Sequence, residues 1–110
     1  MCHSTTDQIR NLNDAFRTSL EGGQILMTSG VADREPDFAL KALAAVRSFD
    51  TFTEGNDPYG EHDFGAIQIE GVRLFWKIDY YDLTMDFGSK DPADPAQTTR
   101  VLTILLVGEW

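Results

Sequence analysis

A chain of 110 residues with 42% hydrophobic and 25% charged side chains has the composition of one globular domain and excludes the apolar-poor make-up of a disordered chain. Its net charge of −9, from 18 acidic against 9 basic residues, repels phosphate backbones and speeds encounter with basic proteins, so direct nucleic-acid binding is disfavoured. The opening MCHSTTDQIR has no apolar run for a signal-peptide core, and no segment approaches the roughly 20 apolar residues of a membrane span; a cytoplasmic protein is expected.

Residues 1–4 are expected to fray, leaving Cys2 and His3 in a terminal tail; as the single cysteine, Cys2 can form no intrachain disulfide. A first helix is expected from Thr5, where Thr5 and Gln8 have capping-box spacing and Ile9, Leu12, Phe16 and Leu20 recur on one face, with Gly22 and Gly23 ending it. The short apolar run QILMTS, 24–29, suits a strand. A second helix starts at Pro36 and turns Phe38, Ala42, Ala45, Val46 and Phe49 inward.

The connection that follows contains NDPYGEHDFG, residues 56–65. Its DPYG segment fits a type I turn, with Pro58 second and Gly60 last. It runs directly into Glu61, His62 and Asp63. Alternation then begins, with Gly65, Ile67 and Ile69 on one side and a short hairpin at Glu70 and Gly71. The strand VRLFWKIDYY places Val72, Leu74, Trp76, Ile78 and Tyr80 on a core face and Arg73, Phe75, Lys77, Asp79 and Tyr81 on the other. A further strand is expected where Leu83, Met85 and Phe87 alternate with Thr84 and Asp86. After the turn-rich GSKDPADPAQ, the last segment reads either way. Its continuous apolar run permits a strand, while Asp94 before Pro95 and the spacing of Thr98, Val101, Leu102 and Leu105 favour a helix. The expected fold is a single α+β domain over 1–110, in the order α-β-α-β-β-β-α, with helices on one face of a mostly antiparallel sheet.

The blocks NDPYGEHDFG, FWKIDYYD and DPADPAQTTRVLTILL, in that order, resemble the bacterial domain-of-unknown-function family 3768, and the resemblance covers about residues 8 to 110. It implies small proteins of Alphaproteobacteria, often carried on plasmids and other mobile elements. It implies no catalytic residues.

The residues themselves offer two kinds of chemistry. The acids are unevenly spread: Asp50, Glu54, Asp57, Glu61 and Asp63 meet no Lys or Arg, and Asp79, Asp82, Asp86, Asp91 and Asp94 meet only Lys90. With Phe75 and Tyr81 beside Arg73 and Lys77 on the second strand face, this favours a partner surface, for which Asp57, Glu61, Phe75, Tyr81, Asp82 and Asp86 are the candidates. Cover by the last helix or by a second copy in a homodimer would also account for Phe75 and Tyr81. The other chemistry is acid/base work by His62 with Asp63 or Asp79, since His titrates near neutral pH and a carboxylate can hold its tautomer. A metal would recruit Glu61, His62, Asp63 and Asp82; a calcium loop at Asp50 fails because Phe52 stands where an oxygen ligand is required. No nucleophile elbow, phosphate loop or dinucleotide fingerprint occurs, and no cofactor is expected. The favoured reading is a small acidic interaction or regulatory protein without enzymatic activity. It docks on a basic partner, and its sharper form is a mobile-element inhibitor of a host nucleic-acid-binding defence protein of the anti-CRISPR or anti-restriction kind. The alternative is a small hydrolase or lyase built on His62 and nearby carboxylates.

Overall fold

The computed structural model describes residues 5–110; Cys2 and His3 lie outside them. The order is α1 (Thr5–Ser19), β1 (Gly23–Met27), α2 (Ser29–Ala32), α3 (Pro36–Ser48), β2 (Phe64–Ile69), β3 (Val72–Tyr81), β4 (Thr99–Leu106) and a closing 3-10 turn, Val107–Glu109. The four strands form one sheet in the order β1-β4-β3-β2. β2 with β3 and β3 with β4 are antiparallel, and β1 lies parallel to β4. The fold is α+β.

The β2–β3 hairpin is built at Glu70 and Gly71, which both take positive φ, 53° and 81°; that is the backbone whose twist matches the flanking strands. β3 then alternates as its sequence dictates. Leu74, Trp76 and Ile78 are buried under Phe16 of α1, Val31 of α2 and Phe38, Ala42 and Val46 of α3, together with Leu102 and Ile104 of β4. Opposite Trp76, β2 carries Gly65, where a Cβ would come within 2.5 Å of the Trp76 Nε1. Any side chain there would displace the indole.

Two expected elements differ. The last segment is a strand, not a helix. β4 is flanked on both sides, by β1 and β3, and Val101, Leu102, Ile104 and Leu105 are all buried. A central strand covered on both faces reads as a continuous apolar run. Asp94 and Pro95 start no helix: the Asp94 carboxylate accepts from the Ala96 amide at 2.9 Å and the Gln97 side chain at 2.7 Å, closing a local turn. Nor do Leu83, Met85 and Phe87 form a strand. They lie in a loop closed by the Asp82 amide donating to the Phe87 carbonyl at 2.8 Å, with Met85 at φ 65° and all three side chains exposed. Alternation alone does not make a strand: the segment turns back on itself and meets β3 in a single bridge, Gly88 to Tyr81. The first helix also ends earlier than expected, at Ser19, with Leu20 in the left-handed region (φ 62°).

The second sheet face carries Phe64, Phe75, Lys77, Thr103 and Leu105. The C-terminal Trp110 folds back onto it, with ring centroids 5.5 Å from Phe64 and 5.4 Å from Phe75. Phe75 is therefore covered by aromatic neighbours of its own chain, in place of the expected helix.

Candidate functional site

In α1 the buried stripe is Ile9, Asn13, Phe16 and Arg17, so helical spacing turns two polar residues inward among apolar ones. Buried polar groups need partners; Asn13 finds all of its own in the connection 50–63 and the strands beside it, while Arg17 is met by the end of α3 and by Asp14, with its buried Nε left without a hydrogen bond. The amide of Asn13, fully buried, donates to the Glu61 carbonyl at 3.0 Å and to the Tyr80 hydroxyl at 2.8 Å. Its oxygen accepts from Arg100 Nε at 2.7 Å, and the Tyr80 hydroxyl donates onward to the Asp63 carboxylate at 3.1 Å. A single polar chain, Arg100 to Asn13 to Tyr80 to Asp63, thus ties α1 to β3, β4 and the mouth of β2. Burial raises the Asp63 carboxyl above its usual value against the Tyr80 hydrogen bond, and raises Glu61, with the Asp63 charge adding to it. Burial likewise drives the Tyr80 hydroxyl upward and the Arg100 guanidinium downward.

Arg17 performs a second task. Its Nη1 donates to the carbonyls of Val46 and Phe49, both at 2.8 Å, supplying donors to the C-terminal end of α3. Its guanidinium also lies 5.4 Å from the ring centroids of Phe52 and Trp76.

His62 sits on the other side of the same connection. Its backbone is left-handed, φ 57°, and its amide donates to the Asp57 carboxylate at 3.1 Å. The ring lies flat on Phe52, centroids 3.7 Å apart and planes within 4°. Nδ1 is 3.0 Å from an Asp14 carboxylate oxygen, and Nε2 is 3.6 Å from Asp57, whose side chain is only 5% exposed. Because an ionised carboxylate can only accept, Nδ1 donates to Asp14. Gly60, last residue of the DPYG turn, donates to the Asp57 carbonyl at 3.1 Å, as its sequence implies.

Among the acid/base candidates, neighbours in sequence diverge in space. His62 faces Asp14 and Asp57, Asp63 faces Tyr80, and Asp79 lies on the far face of the sheet, 2.8 Å from Lys77. Of the metal candidates Glu61, His62, Asp63 and Asp82, the last is apart from the others, accepting from the Thr84 hydroxyl at 3.0 Å and the Asp86 amide at 3.1 Å. Among the described residues no group of three or more His, Cys, Asp or Glu side chains could hold a metal. Slight burial of Asp82 is outweighed by those hydrogen bonds, which hold its carboxyl below the usual range. Of the partner candidates, Asp57 and Glu61 are partly buried in the connection, Phe75 and Tyr81 lie on the second sheet face, and Asp86 is exposed.

Sequence reasoning passed over Asn13, Asp14, Arg17 and Arg100. The available signal was Asn13 and Arg17, four apart on the apolar stripe of α1.

The family model described as "Protein of unknown function (DUF3768)" matches residues 27–109, about three-quarters of the chain, and the chain belongs to that family. The match begins at the end of β1, so α1 lies outside it. No match is found among curated proteins or solved structures. No helix among the described residues is long and apolar enough to cross a membrane.

Proposed function

We propose that the chain is a non-enzymatic interaction protein that docks on a basic protein through one end of its sheet. The observation that supports this is the convergence of the two acidic connections. Pairing of Phe64 with Lys77 sets the start of β2 beside the end of β3, and pairing of Thr99 with Tyr81 sets the start of β4 there as well. Residues 50–63 and 82–98 therefore emerge at the same end. Together they carry Asp50, Glu54, Asp57, Glu61, Asp63, Asp82, Asp86, Asp91 and Asp94 against Lys90 alone. Tyr59, Leu83 and Phe87 stand out from these connections 78%, 64% and 75% exposed. Large apolar side chains ringed by one sign of charge suit a complementary, oppositely charged protein, the charge steering encounter and the apolar groups anchoring it.

The sharper form of the proposal is an inhibitor of a bacterial host protein that itself binds nucleic acid, such as a defence nuclease or a CRISPR complex. Acidic side chains then occupy positions that otherwise hold phosphates. For acid/base catalysis Asp14 on Nδ1 would hold the His62 tautomer, but the other nitrogen, Nε2, faces the Asp57 carboxylate at 3.6 Å and one ring face is covered by Phe52, so the docking reading is favoured.

Affinity capture from an alphaproteobacterial lysate tests the proposal, with the wild type compared to a variant carrying Asp86→Asn, Asp91→Asn and Phe87→Ser. A basic protein held by the wild type, released as salt rises and lost from the variant is the expected result. Recovery of no basic protein at low salt, or equal recovery by the variant, overturns it.

A further inference from the structure

Beyond its place in the polar chain, Arg100 lines a cavity. The residue is only 3% exposed, yet among the described residues no carboxylate forms an ion pair with it. Its Nε is engaged by Asn13 and its Nη2 by the Pro92 carbonyl at 2.5 Å, while its Nη1 has no hydrogen-bond partner. A buried cation normally carries a counter-charge. Glu61 acts on Arg100 only from beyond ion-pair distance, and Arg100 lines a cavity of about 330 Å³ between α1 and the segment before β4, at the low end of small-ligand sites.

The rest of the lining decides what would fit. Leu12, Ala15, Phe16 and Pro95 make an apolar wall. The hydroxyls are already engaged: Ser19 donates to Ala15 and Thr98 to Asp91, at 2.7 and 2.9 Å. Glu21 completes the lining with a carboxylate. A plain anion would gain Arg100 but meet Glu21 and the repulsion of a chain of net charge −9; a plain cation would meet buried Arg100. A molecule bearing both charges matches both groups and, having no net charge, is indifferent to the overall field.

We propose that this cavity binds a small zwitterion with an apolar body, the class of hydrophobic α-amino acids. Its carboxylate accepts from Arg100 Nη1, its ammonium faces Glu21, and its side chain lies against Leu12, Phe16 and Pro95. The cavity shares Pro95 and Thr98 with the connection 82–98, but Asp86, Phe87 and Asp91, which carry the docking proposal's test, do not line it, so the two proposals can fail separately.

Titration of the isotope-labelled protein with L-phenylalanine, followed by amide resonances, tests the inference, with phenylacetate and phenethylamine as probes lacking one charge each. Expected is saturable movement at Leu12, Ala15, Phe16 and Thr98 with a Kd of about 1 mM or tighter, and at least tenfold weaker binding of both single-charge probes. Two variants on exposed positions keep the fold intact, as circular dichroism would verify. Ala15→Trp, which fills the cavity, should weaken phenylalanine at least tenfold. Glu21→Gln should weaken phenylalanine while leaving or improving phenylacetate. Absence of saturable movement in the wild type overturns the site, undiminished binding to folded Ala15→Trp overturns its location, and phenylacetate binding as tightly as phenylalanine overturns the zwitterion assignment.

Discussion

The connections 50–63 and 82–98 start from similar material, five acids without a Lys or Arg in the first and four with Lys90 in the second, and the fold handles them differently. In 50–63 Asp50 and Glu54 are exposed, but Asp57 turns in to the amide and ring of His62, itself held by Asp14 of α1, and Asp63 reaches the Tyr80 hydroxyl of β3. In 82–98 they turn to their own backbone, Asp82 to residues 84–87 and Asp94 to residues 96 and 97, and leave Leu83 and Phe87 outside. What separates them is α1. That helix lays Asn13 and Asp14 against the first connection, 48 residues away in sequence, and sets the Arg17 guanidinium over its Phe52 ring. Charge content does not distinguish an acid that builds a fold from one left for a partner; a polar residue supplied by another element does.

The largest loss of stability is expected from Asn13→Ala. It removes the acceptor for Arg100 Nε and the donor to the Glu61 carbonyl in a fully buried setting, and should cost about 3 kcal/mol. Urea denaturation would measure it. A loss below about 0.5 kcal/mol, the range of ordinary surface changes, would mean that the connection 50–63 does not depend on α1.

His62→Ala comes next. It loses the Phe52 stack and the hydrogen bond to Asp14, at roughly 1 to 3 kcal/mol, and any loss of partner binding should follow the loss of folded protein. An unchanged denaturation midpoint with abolished partner binding would instead make His62 part of the docking end.

These two residues also show how far the sequence could be read. The α+β class, α3 with its Phe38, Ala42 and Val46 stripe, the Glu70-Gly71 hairpin and the inward face of Trp76 were all legible, because each rests on spacing within one segment. The connection's own DPYG turn was legible for the same reason. What escaped was set by tertiary partners. β4 looked helical because a strand between two others loses its alternation, and the loop 82–88 looked like a strand because alternation does not reveal a missing neighbour. His62 was visible as a candidate, but its partner Asp14 lay on the polar flank of α1, where a solvated acid is the ordinary reading.

Acidity sharpens the contrast. Glu61 and Asp63 have raised folded-state pKa values, so between their usual values of 4.5 and 3.8 and the raised ones the folded protein holds protons that the unfolded chain has released. Stability therefore falls as pH rises through that window and returns on acidification. Asp82 and Asp94 are lowered. Their contribution is present above the unfolded value of 3.8 and is lost as pH falls through the folded one. Asp63→Asn should flatten the decline seen on raising pH, and Asp82→Asn should flatten the decline seen on lowering it. Denaturation midpoints from about pH 3 to pH 7 would measure both, and slopes of the same sign for the two connections would end the distinction between them.

The smallest effect on stability is expected from the most exposed group of the second connection. Phe87 is 75% exposed, and the loop is closed by backbone atoms and by Asp82, not by the ring. Phe87→Ser should thus change stability by less than about 0.5 kcal/mol. If the ring is an anchor for a basic partner, the same change should weaken binding by about 2 kcal/mol or more, roughly thirtyfold, since anchors of this kind carry much of an interface's energy. Calorimetric titration of the captured partner against both proteins would read it. The salt dependence of binding should persist in Phe87→Ser, because the acids remain. Asp86→Asn with Asp91→Asn should do the reverse, lowering the salt dependence while the anchor is retained. A Phe87→Ser protein that binds as the wild type does would leave charge alone at this end of the sheet, and the apolar tips of the loop would have no part in recognition.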